Sequence, residues 1–487
     1  MVFHSYSFIL LFLPLIILGF YLSGRIGGSR AKELFLLAAA VIFYGQGGQK
    51  LDLFLLAASL FINFGLIRTI LFLPKGRSVL GIPGRKLLLF IGIAGNLSVL
   101  LFFKYFNFFL WNLNRILGTD QMARNIPLPA GISFITFCQI AFLVDAYREE
   151  VDSCKILDYF SYASFFPHLL SGPIITGKQA GTFWGDIRKK GVDWNRFAEG
   201  LFLFGTGLGK KVLLADTLGR SVNWGYANIE GLNTLSAWVV CLCYSLQVYF
   251  DFSAYSDMAI GVSRLLGLDL PVNFDSPYRA KTLPEFWRRW HITLTQFFTK
   301  YLYIPLGGNR RGRIRTWINI MIVFLCSGLW HGASWTYVFW GGLHGLFMIL
   351  SRECESVIRK IPAWINWMMT FLFINLAWVF FRADSFDMAA RMLHKMFSIT
   401  PGFLPSDLTE RLQIPCLHRL FSYVIPDGIS AVILVAGILT VALWNKNSLT
   451  LLKNRRWGMG MTLVFLASVF LSMLSFTGEN TFLYFNY

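Results

Sequence analysis

Two histidines forty residues apart are the side chains best suited to do chemistry in this sequence. His331 closes an apolar run in Ser327-Gly-Leu-Trp-His-Gly-Ala-Ser-Trp335, and His291 ends the aromatic and basic run Trp287-Arg-Arg-Trp-His. A titratable imidazole inside hydrocarbon is costly unless it has a partner or a task, so the pair marks a candidate site. Imidazole titrates near neutral pH and can take the proton of an attacking hydroxyl. Neither histidine has Cys, Asp or Glu companions at zinc-ligand spacing, and H-E-x-x-H, G-x-S-x-G and a Walker loop are all absent. The chain therefore offers no metal site, no serine-hydrolase triad and no energy source of its own. Any group passed between these histidines must arrive already activated.

The elements that position them are membrane spans. The chain has 487 residues, 55% hydrophobic and 14% charged, with a mean hydropathy of +0.55, too apolar for a soluble domain of this length. An all-α polytopic membrane protein follows, with about 11–12 transmembrane helices of ~20 residues each. The candidate spans are 8–22, 34–47, 51–73, 87–110, 128–146, 197–215, 234–266, 316–331, 334–351, 364–381, 428–445 and 457–476. The stretch 234–266 is long enough to bend or to count as two. Residues 157–176 carry His168 and the breaker Ser171-Gly-Pro173, and read as a re-entrant segment. The longest extracytoplasmic loop is expected from about 383 to 426, and one membrane domain is expected to cover residues 1–487.

The net charge of +18 falls mainly between spans, which fits cytoplasmic loops and argues against nucleic acid as a partner. Clusters at 25–32, 75–86, 178–196, 279–315, 352–360 and 446–456 read as cytoplasmic, leaving both termini outside. No basic residue precedes the first apolar run, so it reads as a retained span and not a cleaved signal. The seven cysteines form no C-x-x-C array, and neither a disulfide framework nor a zinc site is indicated.

Residues 273–315 interleave Arg279, Lys281, Arg288, Arg289, Lys300, Arg310, Arg311, Arg313 and Arg315 with Phe, Trp and Tyr. This pattern suits an amphipathic segment against anionic lipid headgroups, and equally a cytoplasmic mouth for a phosphate-bearing donor. Asp251, Ser253, Tyr255, Asp257 and Trp330 are polar or amphipathic groups at membrane depth. They either line a tunnel near His331 or, for the two aspartates, pair with an arginine such as Arg264 or Arg279.

Ordered motifs now point to a family. Val248-Tyr-Phe-Asp-Phe-Ser-Ala-Tyr-Ser-Asp-Met-Ala-Ile-Gly261, Asn273-Phe-Asp-Ser-Pro-Tyr-Arg279, Phe286-Trp-Arg-Arg-Trp-His291, Tyr303-Ile-Pro-Leu-Gly-Gly-Asn309 and Gly328-Leu-Trp-His-Gly332 resemble the membrane-bound O-acyltransferase (MBOAT) family. The likeness is to the bacterial branch that holds the alginate O-acetylation membrane subunit and the D-alanyl transfer protein of teichoic acid. Leu128-Pro-Ala-Gly-Ile-Ser-Phe-Ile-Thr-Phe137, Ser164-Phe-Phe-Pro-His-Leu-Leu-Ser-Gly-Pro173, Trp378-Val-Phe-Phe-Arg-Ala383 and Phe482-Leu-Tyr-Phe485 extend it. His168 departs from the pattern, since the family commonly has Gln there.

The resemblance implies that His331 is the catalytic base and His291 the second active-site group, with helices arranged around a central tunnel. From Arg315, His331 is sixteen residues on, about 24 Å of helix, and a tunnel reconciles that depth with a cytoplasmic donor. Acetyl-CoA is the simplest such donor, with Arg288, Arg289, Arg310, Arg311 and Arg313 at its mouth. The resemblance further implies an inner-membrane protein working with an extracytoplasmic SGNH-type acetyltransferase on a polysaccharide, which alginate, cellulose and peptidoglycan all satisfy. Rival readings are an anion transporter and an MBOAT that acylates a lipid or protein. Tyr484 resembles a C-terminal tyrosine proposed to carry the acyl group, and a phenol of pKa near 10 would hold it activated; the alternative is an interfacial aromatic anchor.

Overall fold

The computed structural model describes residues 2–46, 50–74, 78–79, 82–151, 154–414, 426–443, 447–453 and 459–476. The chain is all-α; among the described residues the exception is a two-residue antiparallel ladder of β1 (Ser78–Val79) with β2 (Ile82–Pro83). Six helices among the described residues are long and apolar enough to cross a membrane. The hydropathy reading gave more spans, because several of its runs form helices that are short or less apolar and because runs 8–22 and 34–47 are joined through a kink at Gly28. The protein is a multi-pass membrane protein, and its chain divides into two compact units, Met1–Leu201 with Ala259–Pro271 and Phe202–Met258 with Val272–Tyr487.

The first unit contains α1 (Leu13–Gly45), α2 (Lys50–Phe72), α3 (Gly84–Leu100), α4 (Phe106–Leu117), α5 (Ile132–Tyr147), α6 (Ile156–Ala163), α7 (Phe166–Leu169), α8 (Gly177–Ile187) and the start of α9 (Trp194–Gly209). At Gly28 the backbone takes φ 66° and ψ −153°, a conformation that only glycine adopts without strain. The chain doubles back there, and the Phe12 and Phe43 rings meet at 5.9 Å. Runs 8–22 and 34–47 are thus the two limbs of a hairpin. In the segment expected to be re-entrant, α6 and α7 are too short to cross a bilayer. His168 is buried there, and its Nε2 lies 3.0 Å from the Tyr162 carbonyl. A carbonyl can only accept, so the imidazole donates and is a satisfied structural group.

The second unit is built on α11 (Thr234–Leu265) as far as Met258, preceded by α10 (Asp216–Ala227) and followed by α12 (Leu283–Arg289) and α13 (Ile292–Phe298). α14 (Arg313–His331), α15 (Trp335–Glu353), α16 (Glu355–Ile358), α17 (Ala363–Arg382), α18 (Phe386–Phe397), α19 (Ser406–Arg411), α20 (Asp427–Leu443), α21 (Ser448–Lys453) and α22 (Met459–Ser475) complete it. α11 is one unbroken helix of 32 residues, not two. Its lone glycine, Gly261, sits near the end, so nothing interrupts about 48 Å of helix. The region from 383 is likewise not a plain loop. Ser385 caps α18 by accepting the Met388 N–H at 3.1 Å, and Ala389, Met392 and Met396 bury one face of that helix.

Asp251 and Asp257 are paired, but with lysines and not with Arg264 or Arg279 as weighed from sequence. A π-helical turn at Lys210–Ala215 places two consecutive lysines against α11. Lys211 Nζ reaches Asp251 at 2.7 Å and Asp216 at 2.8 Å, and Lys210 Nζ reaches Asp257 at 2.6 Å. Ser448 Oγ joins the second pair, donating to Asp257 at 2.6 Å. Buried charges this deep persist only when paired and hydrogen-bonded.

Candidate active site

His331 is positioned by a close helix pair. α14 and α15 form an antiparallel hairpin in which Gly328 and Gly341 face each other; a Cβ on either would sit 3.2–3.3 Å from the other's Cα. Small residues at such a crossing let two backbones approach. At the far end of the hairpin the Trp317 indole donates to Glu353 at 2.7 Å, and Arg313 pairs with the same carboxylate. Gly332 and Ser334 break the helix, and Ser334 caps α15 through the Thr336 N–H. His331 therefore ends α14, three residues past the crossing, with its ring edge-on to Trp340 at 5.2 Å and to Phe381 at 5.1 Å.

His291 is held differently. It precedes α13 with φ 42° and ψ 55°, a left-handed conformation that costs roughly 1–3 kcal/mol for a non-glycine residue and persists where its surroundings enforce it. The enforcing partner is Asn273. Its backbone carbonyl accepts the Ile292 N–H at 2.9 Å, and its side-chain Oδ1 accepts from Thr293 Oγ1 at 3.0 Å and Thr293 N at 3.3 Å. His291 Nδ1 lies 3.1 Å from that same Oδ1. A backbone N–H can only donate, so Oδ1 is the carbonyl end of the amide and Nδ1 must carry the proton. His291 thus presents Nε2 as the acceptor nitrogen. Burial also drives its pKa down to about 3, which keeps the ring neutral.

Trp330 joins the two histidines. Its indole centroid lies 4.8 Å from the His331 ring and 5.9 Å from the His291 ring. Phe252, next to Asp251 on α11, meets His291 edge-on at 4.7 Å. Trp287, Trp290, Trp340, Trp378 and Phe381 continue an aromatic enclosure that also takes in His344, 4.7 Å from Trp340. Such walls exclude water and strengthen any polar interaction made inside them.

Of the other candidates, Ser253, Tyr255, Asp251 and Asp257 are all buried on α11. Arg288, Arg310 and Arg311 are exposed, whereas Arg289 is engaged with Glu285 at 2.9 Å and Asp275 at 3.4 Å. Arg313 is held between Glu353 and the Trp317 ring. Tyr484 lies outside the described residues. Sequence reasoning missed Asn273, Trp340 and Phe381, although each lies within or beside a motif it had already singled out.

Residues 96–388 match the family model described as MBOAT, membrane-bound O-acyltransferase family. The chain belongs to the membrane-bound O-acyltransferase family. Within it, the chain is 34% identical to a peptidoglycan O-acetyltransferase of Helicobacter pylori, over 100% of this chain and 98% of that protein. It is 38% identical to a probable alginate O-acetylase AlgI of Pseudomonas aeruginosa, over 82% of this chain and 75% of the relative. A teichoic acid D-alanyltransferase of Streptococcus thermophilus is 26% identical over 47% and 57%. Both histidines, their aromatic enclosure and Asn273 lie inside the matched MBOAT region, and this MBOAT chain spans nearly the whole length of the first of these relatives.

Proposed function

We propose that this protein is a membrane O-acetyltransferase that takes acetyl from a cytoplasmic thioester, acetyl-CoA, and passes it outward for O-acetylation of an extracytoplasmic polysaccharide. The observation that carries the reading is the pair of buried histidines flanking Trp330 in a chain of this family. Relatives named for acetylating peptidoglycan and alginate support acetyl as the group and polysaccharide as the destination. A cytoplasmic-membrane location with both termini outside fits the basic loops, and an SGNH-type acetyltransferase would be the outer partner.

In this reading His331 takes the proton of the acceptor hydroxyl while its oxygen attacks the thioester carbonyl. A C–O bond forms, the C–S bond breaks, and the proton passes to the departing thiolate. His291, with Nδ1–H held by Asn273, accepts a hydrogen bond at Nε2 and orients the hydroxyl. Exposed Arg288, Arg310 and Arg311 are suited to the phosphates of the donor, with Arg289 and Arg313 holding the mouth through their carboxylate partners. Tyr484 would be the first acceptor, its phenyl ester staying activated for the second transfer.

The test is acetyl transfer from labelled acetyl-CoA by purified protein. His331→Ala should lower turnover by about 10²–10⁴-fold, the usual contribution of a general base, at unchanged protein abundance. Wild-type turnover in that variant would sink the assignment, and transfer without thioester consumption would favour a transporter.

A further inference from the structure

We infer that Asn447 is a positioning residue for His291: its side-chain amide braces the turn at Asp275 and Ser276, and through that turn holds Asn273 against the imidazole. What the brace does for turnover rests on the acetyltransferase reading above. Asn447 stands just before α21, 172 residues from Asp275, and it caps that helix. Its backbone carbonyl accepts the Leu451 N–H at 2.9 Å, and its Oδ1 accepts the Thr450 N–H at 2.8 Å and the Thr450 hydroxyl at 2.9 Å. A backbone N–H can only donate, so the other end of the amide is the NH2. That Nδ2 donates to Asp275 Oδ1 at 2.8 Å and to Ser276 Oγ at 3.3 Å. Capping needs an acceptor alone, which Asp or Ser supplies equally well; the donor half of the side chain serves the turn.

The turn it grips follows directly on the residue that sets His291. Asp275 and Ser276 lie two and three residues past Asn273, whose Oδ1 fixes the proton on His291 Nδ1. Ser276 takes φ 44° and ψ 60°, nearly the conformation of His291. Of the described non-glycine residues, four take positive φ, and these are two of them. Such strain persists where neighbours impose it. On one side the neighbour is α12: the Asp275 N–H donates to the Arg289 carbonyl at 2.9 Å, and the Arg289 guanidinium returns to the Asp275 carbonyl at 3.2 Å and to its Oδ2 at 3.4 Å. On the other side it is Asn447, which takes Oδ1.

The residue after Asn447 ties the same helix to α11. Ser448 Oγ donates to Asp257 at 2.6 Å and accepts from Lys210 Nζ at 2.7 Å. Beside Asp257 on α11, the Ser256 hydroxyl lies 3.5 Å from Asn273 Nδ2. The start of α21 therefore reaches both supports of Asn273, the turn that follows it and α11. Asn273 must keep its carbonyl oxygen 3.1 Å from His291 Nδ1, and misplacing a group at the reacting centre by about 1 Å can cost roughly 10²-fold in rate. A change at Asn447 is thus expected to act on the chemical step through His291.

Two measurements on the full-length protein in nanodiscs test this: acetyl transfer from acetyl-CoA, and nitrogen-15 spectra of labelled histidine, with the His291 signals assigned by their loss in His291→Gln. Asn447→Asp keeps the cap but sets a carboxylate against Asp275. It should lower kcat about tenfold at unchanged KM for acetyl-CoA, and it should turn the single Nδ1–H tautomer of His291 into a mixture. Adding Asp275→Asn restores a donor–acceptor pair with the roles exchanged, and should recover most of kcat and the single tautomer. An unmixed tautomer in Asn447→Asp, the result expected of a residue that only caps α21, would overturn the proposal. So would a loss that Asp275→Asn does not recover. A wild type that transfers no acetyl group, with the tautomer still mixed by Asn447→Asp and restored in the pair, would refute the acetyltransferase reading and leave the brace standing.

Discussion

At the scale of the residue, Asn273 decides which nitrogen of His291 can act. Removing its side chain leaves Nδ1–H without its acceptor and frees the ring to take the other tautomer. Asn273→Ala should reduce turnover by roughly 5–150-fold, equivalent to about 1–3 kcal/mol for a buried hydrogen bond left unmade. Asn273→Asp keeps an acceptor in the same place and should recover most of the activity. A carboxylate beside the ring also favours the imidazolium. The His291 pKa in that variant should rise, so the acid limb of the pH–rate profile should move to higher pH, with activity lost sooner as pH falls. A merely structural asparagine would give two equally impaired variants with unshifted profiles. The histidines themselves were legible because imidazoles in or beside apolar runs are conspicuous. Asn273 was not, because it lies eighteen residues from His291 in an irregular stretch, where no periodicity relates one side chain to another.

At the scale of the element, the lysines beside α11 show where hydropathy misleads. Lys210 and Lys211 fall inside the run 197–215, which reads as one apolar span with two charges near its end. The π-helical turn is what lets both reach α11, one to Asp251 and the other to Asp257, six residues along the same helix. Sequence spacing made the aspartates conspicuous but assumed regular helix in front of them, and so their partners were sought among arginines. Taking away one partner of a buried pair leaves a charge without compensation and costs about 3–5 kcal/mol. Lys211→Ala, which exposes Asp251 and Asp216 to that penalty, should lower the thermal unfolding temperature of the purified protein markedly. Adding Asp251→Asn should restore part of the loss. Equal melting of the single variant and wild type would show that the pair contributes nothing to the fold.

At the scale of the whole molecule, orientation decides whether a cytoplasmic thioester and an outer glycan can share this site. The helical class was legible because apolar runs of span length have few alternatives; the number of spans, the Gly28 hairpin and the helices after residue 383 were not, since hydropathy does not set helix ends, the hairpin depends on a single backbone conformation and the later helices lie in a polar stretch without strong periodicity. The orientation proposed from the basic loops would put Arg310, Arg311 and Arg313 in the cytoplasm. On that orientation α14 would run outward to His331, and α17, whose end packs against His331 through Phe381, would also end on the outer side with α18 beyond it. Two exposed positions test that chain of inference, Arg311 in the loop before α14 and Phe403, 95% exposed between α18 and α19. In a variant lacking native cysteines, Phe403→Cys should react with a membrane-impermeant maleimide on intact spheroplasts, and Arg311→Cys should react only after the membrane is opened. The reverse pattern would place the arginines and the donor mouth outside, where acetyl-CoA is not available, and would invert the direction of transfer through His331.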